Sequence, residues 1–174
     1  LVVSADHPLL LFNLDLSLEW DARNDGTFLD DLAVALQETS AVLYDVSDGQ
    51  VALGQVRVHQ AKSNWLAADI VMYAQNGIRP RATMGGIVRD TTDDVVSATL
   101  TITNAYGPGQ IRIGPNWDPF GANLVELNQD WQRALAHEIA HYVLFLPDNY
   151  LGVGMDGLPR IVDCQGSFMT NTYD

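Results

Sequence analysis

Alternation of period two is the first order visible along the chain. Leu10, Phe12, Leu14, Leu16 and Leu18 fall on one side of residues 9–18, which predicts a strand with one buried face. The turn-rich stretch 21–26 follows, and the spacing then becomes helical. Leu29, Leu32, Ala33, Leu36, Ser40 and Leu43 share one face of a helix over about 28–45, with Thr27 and Asp30 placed as a capping box. Residues 47–49, Ser-Asp-Gly, stop it. Val51, Leu53, Val56 and Val58 form a second strand whose phase changes at Gly54, the mark of a β-bulge.

Shorter strands are expected at about 68–74 and at 97–103, where Ala98, Leu100 and Ile102 oppose Thr99, Thr101 and Thr103. The latter is the candidate edge for pairing with an extended peptide. Residues 90–94 lack the alternating ligands of a calcium loop and read as a solvated connection. A turn at 104–109 leads into a short strand at Ile111 and Ile113. From about 125 the period is helical again, with Trp131, Leu135, Ile139 and Val143 four apart. Asn128 or Asp130 can cap this helix, and Pro147 should end it near Leu146. The tail, 148–174, is irregular.

The 174 residues suit one domain, 1–174, and the absence of Met at position 1 suggests a piece excised from something longer. With 47% hydrophobic residues the chain should fold as a globule, and no apolar run is long enough to insert in a membrane. A net charge of −13, with Lys62 the only lysine, argues against nucleic acid as a partner. Cys164 is the only cysteine and cannot form an internal disulfide.

The chemistry concentrates in the last helix. His137-Glu-Ile-Ala-His141 sets two imidazoles about 400° apart around the helix, on one face, where they can share a cation. Glu138 is offset by one residue and can act on a metal-bound water without being a ligand. Four His and four Glu would produce this HExxH spacing by chance at roughly two in a thousand. An exposed polar face is the competing explanation, but Ala134, Leu135, Ala136, Ala140 and Val143 leave almost no polar stripe for it. The expected cofactor is Zn2+, which takes three protein ligands and a water in catalytic sites. No Glu or His follows His141, so the third ligand is to be sought among Asp148, Asp156, Asp163, Asp174 and the upstream His59.

Residues 137–150, HEIAHYVLFLPDNY, resemble the HExxHxxxGxxDEY segment of the calcium-activated chloride channel regulator proteins, whose N-terminal domain is a metzincin-like zinc protease. Phe145 stands where that family has a turn glycine, and Asn149 replaces its Glu. The resemblance implies an α+β fold, a twisted mixed sheet with a long helix and a zinc-binding helix, and a zinc set of His137, His141 and Asp148. It implies Glu138 as general base and Met169, in the sequence CQGSFM, as the methionine of the turn beneath the metal. Tyr173 would support the oxyanion. The expected activity is zinc endopeptidase cleavage of peptide or protein substrates, with extracellular or cell-surface placement. A zinc-holding interaction module and a domain that processes only its own parent chain are the alternatives.

Overall fold

The computed structural model describes residues 8–92, 102–107, 109–117, 125–149, 151–153, 155–161 and 167–169. Their order is β1 (Leu10–Leu18), α1 (Phe28–Val46), β2 (Val51–His59), β3 (Ile70–Met72), β4 (Arg81–Thr83), β5 (Gly86–Thr92), β6 (Ile102–Gly107), β7 (Gln110–Ile113), α2 (Gln129–Leu144), β8 (Leu151–Val153) and β9 (Pro159–Ile161). The fold is α+β. A five-stranded mixed sheet runs β2-β1-β3-β7-β4, parallel except for β4, and two hairpins, β5-β6 and β8-β9, stand outside it.

The register explains the two faces of the sheet. Leu16, Ile70, Ile111 and Ala82 form one row across β1, β3, β7 and β4, and Leu18, Met72 and Ile113 form the next. These rows pack with Leu32, Leu36 and Leu43 of α1 and Trp131, Leu135 and Ile139 of α2 in one core. Removal of each such side chain from water stabilises by about 1.5–3 kcal/mol before entropy is charged against it. Trp131 satisfies its indole N–H on the Gly114 carbonyl at 2.7 Å. Alternation turns the intervening row, His59, Ser17, Val71, Arg112 and Arg81, toward the opposite face. Segment 60–69 covers part of that face, for Ser17 Oγ donates to the Ser63 carbonyl at 2.7 Å.

The bulge expected at Gly54 is present. Phe12 pairs with Leu53 and Leu14 with Val56, so β2 carries the extra residue. Asn13 Oδ1 accepts the Gln55 N–H at 2.7 Å, and a Cβ on Gly54 would lie 2.4 Å from that oxygen. A side chain at this position would push Asn13 off the Gln55 N–H.

Four local expectations are corrected. Thr27 is itself helical (φ −87°, ψ −40°) and does not cap α1; Asp25 Oδ1 accepts the Phe28 N–H at 3.2 Å instead. The buried stripe of α1 is Phe28, Leu32, Ala35, Leu36, Thr39 and Leu43, and Ala33 is exposed. Residues 90–92 belong to β5 rather than to a loop. Of the strand expected at 97–103, residues 97–101 lie outside the described residues, while Ile102 and Thr103 begin β6 and pair with β5. The sheet edge beside α2 is β4, which among the described elements contacts β7 and that helix.

Candidate metal centre

The second helix opens on Asn128, whose Oδ1 accepts the Trp131 N–H at 2.9 Å, a side-chain N-cap. It ends two residues before the expected point, at Leu144, because Phe145 turns left-handed (φ 55°, ψ 29°). The N–H groups of Phe145 and Leu146 both close on the Ala140 carbonyl. This is the job a glycine usually does at a helix end, and a side chain there costs about 1 kcal/mol. The reversal carries Pro147 past the helix and returns Asp148 to its last turn.

Three side-chain atoms consequently meet. His137 Nε2 and His141 Nε2 are 3.0 Å apart, and Asp148 Oδ1 lies 3.3 Å from the first and 3.0 Å from the second. Among the described residues this is the group of His, Cys, Asp and Glu whose ligand atoms converge. The opposite ring nitrogens face backbone carbonyls: His137 Nδ1 that of Phe168 at 3.3 Å, His141 Nδ1 that of Leu146. A carbonyl only accepts, so each Nδ1 carries the proton and each Nε2 presents a lone pair.

Two lone pairs and a carboxylate oxygen at such separations repel one another unless a cation lies among them. Asp148 Oδ1 is buried and has no hydrogen-bond partner, an arrangement that costs free energy in a metal-free site. Donors of a tetrahedral ion with bonds of about 2.0–2.1 Å stand about 3.3 Å apart, close to the observed triangle. The donor set therefore fits a divalent metal, with a position left open for water or substrate.

Electrostatics follow burial. Desolvation lowers the pKa of His137, more strongly than the Phe168 carbonyl and Asp148 raise it, which keeps the ring neutral and available to a metal. Burial raises that of Glu138, opposed by the Ala82 N–H that its Oε2 accepts. Ala82 belongs to β4. Its partner Ile111 donates its own N–H to the Asp69 carbonyl on the β3 side, so Ala82 points its N–H and C=O away from β7. The general-base candidate is thus tied to the free edge of the sheet.

Met169 is buried, and its carbonyl accepts the Asn149 N–H at 3.2 Å. The segment 167–169 lies against His137, with the Phe168 ring 6.0 Å from the imidazole. The other ligand candidates are engaged elsewhere. His59 holds Asp15 at 2.8 Å in the row facing away from the helices, and Asp156 holds Arg160 at 2.7 Å. Asp163, Cys164, Tyr173 and Asp174 lie outside the described residues.

Several supporting groups carry no sequence signal, because they are backbone atoms: the Phe168 and Leu146 carbonyls and the Ala82 N–H. Tyr142 is a further addition. Its hydroxyl donates to Asp69 Oδ1 at 2.6 Å, while Asp69 Oδ2 accepts the Asp15 N–H at 2.7 Å, linking the helix to β1. Gly109 permits this approach, since a Cβ there would meet the Tyr142 ring at 2.7 Å. Compared with protein-family models, curated proteins and solved structures, the chain matches none of them.

Proposed function

We propose that the chain is a zinc-dependent endopeptidase domain of the metzincin type, in which His137, His141 and Asp148 hold the metal. The observation that carries the reading is the convergence of two imidazole lone pairs on a buried carboxylate oxygen without a hydrogen-bond partner. When bound, zinc would supply Lewis acidity and bring the pKa of a water toward ~7. Glu138 takes the proton of the attacking water and returns it to the leaving amine. Its raised pKa suits both halves of that exchange. The outward C=O of Ala82 offers an extended substrate a hydrogen bond, while its N–H is held by Glu138 Oε2, and Phe168 and Leu146 hold the ligand rings in orientation. The resemblance of 137–150 to the chloride channel regulator proteins agrees with this assignment and suggests extracellular or cell-surface placement.

The test couples metal analysis to hydrolysis of unstructured protein substrates with and without chelator. One equivalent of zinc and chelator-sensitive cleavage are expected. Glu138→Gln should keep the zinc and lose roughly 10²–10⁴-fold in rate. Activity near wild type in that variant removes the mechanism, and metal retention without turnover of any substrate leaves a zinc-holding interaction module.

A further inference from the structure

The outer face of the sheet beside this site carries an arrangement the proteolytic chemistry does not use. Arg81 and Arg112 are directly opposed in the β4-β7 register, both exposed. Cβ atoms of such pairs lie about 4.5–5.5 Å apart, and like charges at that distance destabilise a sheet. Among the described residues neither guanidinium has a salt-bridge or hydrogen-bond partner. In a chain of net charge −13 with eight arginines, two stand directly opposed here. An anion bound between the two would relieve that repulsion.

We propose that Arg81 and Arg112 select substrates carrying an acidic side chain adjacent to the residue that pairs with Ala82. The inference rests on the endopeptidase reading and adds the substrate class. A peptide laid antiparallel on β4 would pair one residue with the outward C=O of Ala82, and with its N–H only in place of the Glu138 carboxylate that now accepts it. That residue turns its side chain to the same face as Ala82 and Ile111, the face of the helices. Its C-terminal neighbour stands opposite Arg81 and turns to the outer face, since side chains alternate along a strand. A carboxylate at this neighbour lies within reach of Arg81 directly, and of Arg112 from one strand further in. Two guanidiniums on one carboxylate convert the repulsion into charge-assisted hydrogen bonds. A Lys or Arg at the same position would meet two like charges, so selection works by rejection as well as attraction.

A set of unstructured peptides, each with a single Glu or Gln at one position around a common cleaved bond, tests the proposal on the zinc-loaded chain. One position should show a Glu-over-Gln preference in kcat/KM on the order of tenfold at low salt, shrinking as salt rises. Arg81→Gln/Arg112→Gln should abolish the preference by bringing kcat/KM of the Glu peptide down to that of the Gln peptide, and the variant's unfolding midpoint should equal or exceed that of the wild type. Arg81→Lys/Arg112→Lys should keep part of the preference, and Arg81→Glu/Arg112→Glu should turn it toward Lys. No preference at any position, or one that survives in the double Gln variant, overturns the proposal. Loss of the endopeptidase reading is separately visible as cleavage of none of the peptides. In that event fluorescence anisotropy of labelled Glu and Gln peptides, measured in chelator, decides: tighter, arginine-dependent binding of the Glu peptide supports the acidic subsite, and equal binding overturns it.

Discussion

The Phe168 carbonyl accepts the Nδ1–H of His137 at 3.3 Å, so a tail segment 31 residues downstream fixes the orientation of the first ligand ring. The contact also fixes the tautomer. Support of this kind typically changes metal affinity by 10–100-fold when lost, which makes the segment 167–169 part of the candidate site through a backbone carbonyl.

Met169 anchors that segment by its burial. Met169→Leu keeps the volume and should lower zinc affinity only slightly, whereas Met169→Asp places a carboxylate in a buried position and should weaken folding or zinc retention. Thermal unfolding with and without zinc measures both. An Asp variant as stable and zinc-retentive as wild type would show that the segment does not depend on this side chain.

Asp148→Ala should lower zinc affinity by an order of magnitude or more, read by competition with a chromogenic chelator. Asp156→Ala and His59→Ala should leave it unchanged, because their side chains are bound to Arg160 and Asp15 away from the site. Unaltered affinity in Asp148→Ala moves the third ligand elsewhere.

Phe145→Gly should stabilise. Removing the left-handed strain gains about 1 kcal/mol, offset in part by the greater freedom of glycine in the unfolded chain, for a net of about 0.5 kcal/mol. The side chain is 62% exposed, so little packing is lost. A rise in Tm of about 1–2 °C with unchanged zinc affinity is expected; a fall in either would show that the ring packs where the turn needs it.

The metal-free fold should weaken on acidification through His137. Burial depresses its pKa, and the unfolded chain takes up the proton near 6.5. Its contribution is therefore present above that pH and lost as pH falls through the depressed folded value. Glu138, raised by burial, slopes the other way: its contribution is present at low pH and lost as pH rises through the raised value. Urea midpoints in chelator are best compared between Glu138→Gln and Glu138→Gln/His137→Gln. The first should lose stability between pH 7 and pH 5 and the second lose less; parallel curves would contradict the assignment.

Long periodic segments were legible from the residues alone. Leu14, Leu16 and Leu18 of β1, the stripe of α1 between Leu32 and Leu43, the phase change at Gly54 and the helix holding His137 and His141 all come from repeated burial on one face, whereas Leu10, expected on the same face of β1, is 55% exposed. The edge strand was not legible. Its three residues, Arg81 to Thr83, carry no alternation, and their place is set by pairing with β7 and by the carboxylate of Glu138. Capping of α1 from Asp25 rather than Thr27 reflects a backbone that was already helical one residue early. At the candidate site the side chains were readable and their backbone supports were not, since carbonyl positions follow from tertiary packing.

The three converging donors all belong to residues 137–148, whereas Glu138 reaches across 56 positions of chain to Ala82. Closing so short a loop costs little entropy compared with assembling the sheet. On the proposed function, a newly made or partly unfolded chain can therefore take up an ion while β4, the proposed substrate strand, is still unformed. Metal content in a purified sample would then count the helix ends that have closed, and turnover would count the chains whose sheet has found its last strand.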